Sequence, residues 1–94
     1  MSDHQLLTLW LGAFRYYLGR RSYAVSDFCE LLAQQWPNLP KRTQDLIKKE
    51  LDKEVERDTE SRTAGYEFHH LGDDCDRNEW LLLQQRIESY DATT

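Results

Sequence analysis

The densest group of residue types able to do chemistry is the stretch HHLGDDCD, which puts His69, His70, Asp73, Asp74, Cys75 and Asp76 within eight positions. Zinc asks for about four converging nitrogen, sulfur or oxygen donors, commonly two Cys about two to four residues apart or two His about three to five apart. That spacing is missing here. Asp74, Asp76 and Asn78 copy the first three positions of a calcium loop, but its turn glycine would fall on Glu79 and its bidentate glutamate on Gln85. The reading taken from these residues is that Asp73 to Asp76 cap a helix and the histidines occupy an exposed loop. No metal ligand and no cofactor is assigned; metal binding at His69, His70, Asp73 and Cys75 is kept as a minor alternative.

Nucleophilic catalysis needs a nucleophile, a base and an orienting group brought together, usually in a pocket. Ser22, Ser26 and Ser61 have better uses as caps or surface residues, and no glycine-rich phosphate cradle is present. Cys29 lies on an apolar stripe, where a free cysteine behaves as a small buried hydrophobe. The expectation is a protein that is not an enzyme.

Charge is segregated along the third predicted helix. Lys41, Arg42, Lys48 and Lys49 make its start basic, and Glu50, Asp52, Glu54, Glu56, Asp58 and Glu60 make its second half acidic. This runs against the helix dipole, which favours acids at the start and bases at the end. The basic start, following a helix and a short turn, offers a nucleic-acid-binding alternative with base-reading positions at Arg42, Thr43 and Gln44. Two prolines in the turn WPNLPK, the acidic second half and a net charge of −5 argue against it. A further cluster, Tyr16, Arg20, Arg21 and Tyr23, gathers round the first joint, and tyrosines beside arginines commonly anchor protein interfaces. The competing reading has the tyrosines completing the core and the arginines pairing with Asp73, Asp74 and Asp76.

The elements that must position these residues are helical. Leu7, Trp10, Leu11, Phe14, Tyr17 and Leu18 recur at helical spacing and predict a helix over about residues 4–19, with Gly19 as its left-handed stop. Leu6, Leu9 and Tyr16 lie off that stripe. The apolar surface is thus wider than one packing face needs, so either this helix is central or its second face meets another chain. Val25, Phe28, Cys29, Leu32 and Trp36 predict a second helix over 22–36, capped by Ser22 and stopped by Pro37. A third, over about 40–60, opens at Pro40 with a narrow stripe of Leu46, Ile47, Leu51 and Val55, and with Asp45/Lys49 and Lys48/Asp52 at pair spacing. Residues 61–75 read as a loop with a short extended piece at Tyr66 to Phe68. The fourth helix, about 76–90, starts from an Asp76/Glu79 capping box with Cys75 and Trp80 as a staple, and buries Trp80, Leu83, Ile87 and Tyr90.

The predicted fold is therefore all-α, a small bundle of about four helices forming one domain over residues 1–94. An apolar content of 39% beside 31% charged residues suits such a bundle and excludes disorder along the whole length. The apolar run near the start is broken by Thr8, Gly12 and Arg15 and falls short of the ~20 residues a membrane span needs. MSDHQ lacks the basic start of an export signal, and two cysteines do not make a disulfide framework, so a cytoplasmic setting without membrane contact is expected.

At AFRYYLGRRSYAV (13–25), at the WPNLP joint with the following Thr43 and Ile47, and at LGDDCDRNEW (71–80), the chain resembles a group of small proteins encoded by phages, prophages and neighbouring mobile elements. The resemblance covers roughly residues 13–80 and carries no catalytic residues. It implies a context in which small acidic helical proteins bind a host protein, among them inhibitors of restriction or CRISPR machinery. In that setting Glu50, Asp52, Glu54, Glu56 and Asp58 would occupy a groove meant for phosphates, with Tyr16, Arg20, Arg21 and Tyr23 as further partner contacts. The expected function is stoichiometric binding to a bacterial host protein or complex, with a homodimer through the first helix as an additional partner.

Overall fold

The computed structural model describes residues 2–18, 20, 22–65 and 70–93, and only the backbone of Ser22. Within them the chain forms α1 (Asp3–Tyr17), α2 (Ser22–Gln35), a 3-10 turn (Trp36–Asn38), α3 (Lys41–Thr63) and α4 (Asp74–Thr93), with no strand among the described residues. The molecule is a small all-α bundle. No helix among the described residues is long and apolar enough to cross a membrane. The stop assigned to Gly19, the cap assigned to the Ser22 side chain and the extended piece at Tyr66 to Phe68 lie outside the described residues.

Helix ends differ from the sequence reading for local reasons. α1 begins in a capping box: the Gln5 N–H donates to Ser2 Oγ at 3.1 Å and the Ser2 N–H donates to Gln5 Oε1 at 2.8 Å. Pro40 stands at the N-cap of α3, outside its first turn, and Gln44 Nε2 donates to Trp36 O across the joint at 2.7 Å. α3 continues a turn further than expected, to Thr63, and α4 starts two residues earlier. The Asp76 N–H donates to Asp73 Oδ1 at 3.0 Å and the Arg77 N–H to Asp73 O at 2.9 Å. Asp73 is thus the cap and Asp76 its third helical residue. The expected Cys75–Trp80 staple does not form, because Cys75 is exposed while Trp80 is fully buried.

Around the bundle the order is α1, α3, α4, α2. α2 lies most closely along α4 and α1 along α3, while α1 and α2 are the loosest of the neighbouring pairs. The core is filled from every helix: Phe14, Val25, Leu32, Ile47, Leu51 and Trp80 have essentially no exposed surface. Trp80 sits edge-on to Phe14 with ring centroids 5.4 Å apart and 6.2 Å from Phe28, which in turn stacks on Tyr17 at 4.7 Å. Such aromatic pairs add roughly 0.5–1.5 kcal/mol each beyond the area they bury.

α1 is not the central helix. Of its side chains only Leu7 and Phe14, seven positions apart, are buried. Leu9 and Tyr16 are 56% and 59% exposed, so the wide apolar surface that suggested a central position faces outward.

Candidate protein-interaction groove

The acidic half of α3 does not form an outward ladder. Counting from Ile47, the core-facing positions of a helix are four, seven and eleven residues on, which are Leu51, Glu54 and Asp58. All are buried, so two of the expected partner-binding acids point into the molecule. The Asp58 carboxylate is completely enclosed. Its Oδ2 accepts from Arg62 Nε at 2.7 Å and Arg77 Nε at 2.8 Å, and its Oδ1 accepts from the Leu71 N–H at 2.9 Å. Burial opposes the charge, but the Arg62 hydrogen bond, the Leu71 N–H and the Arg77 hydrogen bond outweigh it and hold the carboxyl below its ordinary range.

Arg62 also donates to Asp74 Oδ1 and to Gly72 O, each at 2.8 Å. Glu54 meets His70, which is half-buried and not in an exposed loop. Residues 70–74 therefore form a strap, tied to α3 by polar contacts. Asp74, one of the acids expected to pair with Arg20 or Arg21, is taken by Arg62. His69 lies outside the described residues, and among those described no three His, Cys, Asp or Glu side chains are placed to hold a metal ion.

The remaining acids of α3 have mixed fates. Glu50 accepts from Arg15 of α1 at 3.1 Å, Asp52 accepts from Gln84 of α4 at 2.8 Å, and Glu56 is exposed. Two of the four bases at its start are paired. Lys41 pairs with Asp45 at 3.2 Å and Lys48 with Asp91 at 2.7 Å, in place of the expected Asp45/Lys49 and Lys48/Asp52 pairs. The hydrogen bond with Asp91 raises the pKa of Lys48 and lowers that of Asp91. Arg42 and Lys49 are exposed, but the shallow surface holding Lys48, Lys49 and Lys53 also holds Asp45, Asp52 and Glu56.

At the first joint Tyr16 and the 89% exposed Tyr23 do not complete the core. The Arg20 guanidinium lies 4.5 Å over the Tyr16 ring and its Nε donates to Tyr16 O. Arg21 lies outside the described residues. Cys29 is a buried free thiol whose pKa is pushed up to about 12, chiefly by burial and further by Glu79.

One seam of the bundle stands apart. Polar pairs cross the α1–α3 seam (Arg15–Glu50), the α2–α4 seam (Arg86–Glu30, 2.8 Å) and the α3–α4 seam (Lys48–Asp91). Among the described residues none crosses between α1 and α2. A groove of about 350 Å³ opens there instead, lined by Leu9, Trp10, Ala13 and Tyr17 of α1 and by Asp27, Phe28 and Leu31 of α2. Leu9 and Leu31, 56% and 49% exposed, stand on opposite walls. Asp27 is the single charged lining residue and makes no ion pair or hydrogen bond with the described residues. Of this site the sequence reading found Leu9 and the surplus apolar width of α1, but missed Asp27 and Leu31. Their signal was present: Leu31 falls off the Val25–Phe28–Leu32 stripe and four residues after Asp27.

The fold and this groove define a small helical bundle whose least closed seam is apolar. The sequence matches no protein-family model, and comparisons with curated proteins and with solved structures find no match either.

Proposed function

We propose that this chain is a non-enzymatic interaction protein that binds a host protein stoichiometrically through the α1–α2 groove. The observation that carries the reading is the open apolar seam, the one between described helices that no polar pair closes, flanked by exposed leucines. Exposed apolar grooves lined by aromatic side chains are the usual seats of protein contacts. Tyr16, Arg20 and Tyr23 extend the surface towards the joint. Glu54 and Asp58 drop out of the contact set because they are consumed internally, and the phosphate-mimicking ladder goes with them. The resemblance at residues 13–25 and 71–80 supports a phage or mobile-element origin, a cytoplasmic site of action in a bacterial host, and restriction or CRISPR-type defence complexes as the first class of target to test. The nucleic-acid alternative loses support from the alternating charges around Lys48 and Lys49.

The test is a tagged pull-down from bacterial lysate at low and moderate salt, with nuclease treatment, comparing the natural chain with a Leu9→Glu, Leu31→Glu double variant. Both replaced side chains are about half exposed, so the variant should melt like the parent. A stoichiometric protein that survives nuclease and is lost with the variant is the expected result. Recovery of no protein at either salt, or only of nucleic acid that salt removes, overturns the reading.

A further inference from the structure

We propose that the occupant of the α1–α2 groove is an amphipathic helix of the partner that carries a lysine or arginine beside its apolar stripe, placed to pair with Asp27. This rests on the reading that the groove is the binding surface and names what fills it.

The shape of the site argues for a helix. Its α1 wall runs from Leu9 to Tyr17, nine residues and eight steps along the helix. At about 1.5 Å per step this is ~12 Å, close to two helical turns. A helix laid in such a trough presents apolar anchors at i, i+3 or i+4, and i+7, the arrangement by which helices fill grooves between helices. The floor offers Trp10, Tyr17 and Phe28 to those anchors, while Leu9 and Leu31 close over them from either side.

Charge argues for a base. Asp27 is exposed, is the only charged residue in the lining, and has no cation among the described residues to answer it. A docked apolar helix would strip water from its carboxylate, which is costly unless the helix brings a cation. Of the described arginines before α2, Arg15 is engaged with Glu50 and Arg20 with Tyr16. The same fact disfavours a second copy of this chain. A two-fold contact brings the same patch to both sides, and this lining contains no base for either Asp27.

The probes are three synthetic helices of about 18 residues, long enough to hold helical structure in part. They share one leucine and phenylalanine stripe and differ only in flanking lysine, glutamine or glutamate. Each is titrated into the 94-residue chain by calorimetry. The lysine peptide should bind at least about tenfold more tightly than the glutamate peptide. An Asp27→Asn variant should bring the lysine peptide to the level of the glutamine peptide, and the Leu9→Glu, Leu31→Glu variant should bind none. Equal binding of all three peptides, binding of none, or sedimentation of the natural chain as a dimer that the double leucine variant dissociates would each overturn the proposal. The two readings fail separately. A lysate partner that depends on Leu9 and Leu31, with no peptide bound, leaves the interaction reading standing and removes the helix. A bound lysine peptide with no such lysate partner does the reverse.

Discussion

At the scale of single residues, Asp58 is the most consequential side chain outside the apolar core. It is a buried anion answered by two guanidinium groups and a backbone N–H, so removing its charge leaves Arg62 and Arg77 without their shared partner. Breaking a buried pair from one side costs about 3–5 kcal/mol. An Asp58→Asn variant, which can still accept from Leu71, should lose about 3 kcal/mol at neutral pH, measured by urea unfolding. Its pH dependence should change as well. Because the folded carboxyl is held below its ordinary range, the unfolded chain takes up the proton first as pH falls. The stabilisation is complete above an unfolded value of about 3.9 and is lost as pH drops through the folded one. Natural protein should therefore lose stability more steeply below about pH 4 than the asparagine variant. Helical spacing carried the signal, since Asp58 continues the face of Ile47 and Leu51, but the sequence analysis set it among the outward acids. Its partners were not. Arg77 is nineteen residues away, and nothing local tells which cation a buried acid will meet.

At the scale of elements, the start of α4 shows how a boundary shifts. Asp73 and Asp76 both qualify as caps by type, and the helix uses the earlier one because Gly72 lets the chain turn into it. Gly72 has φ +87°, and a Cβ there would come within 2.6 Å of Asp76 Oδ2, on a side chain too short and too buried to move away. Gly65 has φ +78° with open space around it. Both substitutions to alanine incur left-handed strain of about 1–2 kcal/mol, but only Gly72→Ala adds a collision. Thermal melts should place Gly72→Ala clearly below Gly65→Ala. The existence and type of the four helices could be read from apolar period, because a buried stripe is a local property. Which faces meet could not, since docking depends on side chains far apart in sequence. The groove is the clearest case: one wall was visible as surplus apolar width on α1, while the other needed the neighbour in place.

At the scale of the whole molecule, the connectivity distributes the core unevenly along the chain. The closest helix pairs are α2 with α4 and α1 with α3, whereas the sequence neighbours α1 and α2 are the loosest seam. The joint through Trp36–Asn38 thus carries the chain across the bundle, not to an adjacent edge. Severing the backbone between Leu39 and Lys41 would separate each helix from its best partner and leave the aromatic centre divided, with Phe14 and Phe28 on one piece and Trp80 on the other. Neither piece holds a core of its own. By circular dichroism each should be largely unfolded alone, and an equimolar mixture should regain the helical signal and melt cooperatively. The diagonal joint thus predicts a split protein: two inert fragments should reassemble, and the α1–α2 groove, carried entirely by the first, should take its shape only when the second is present.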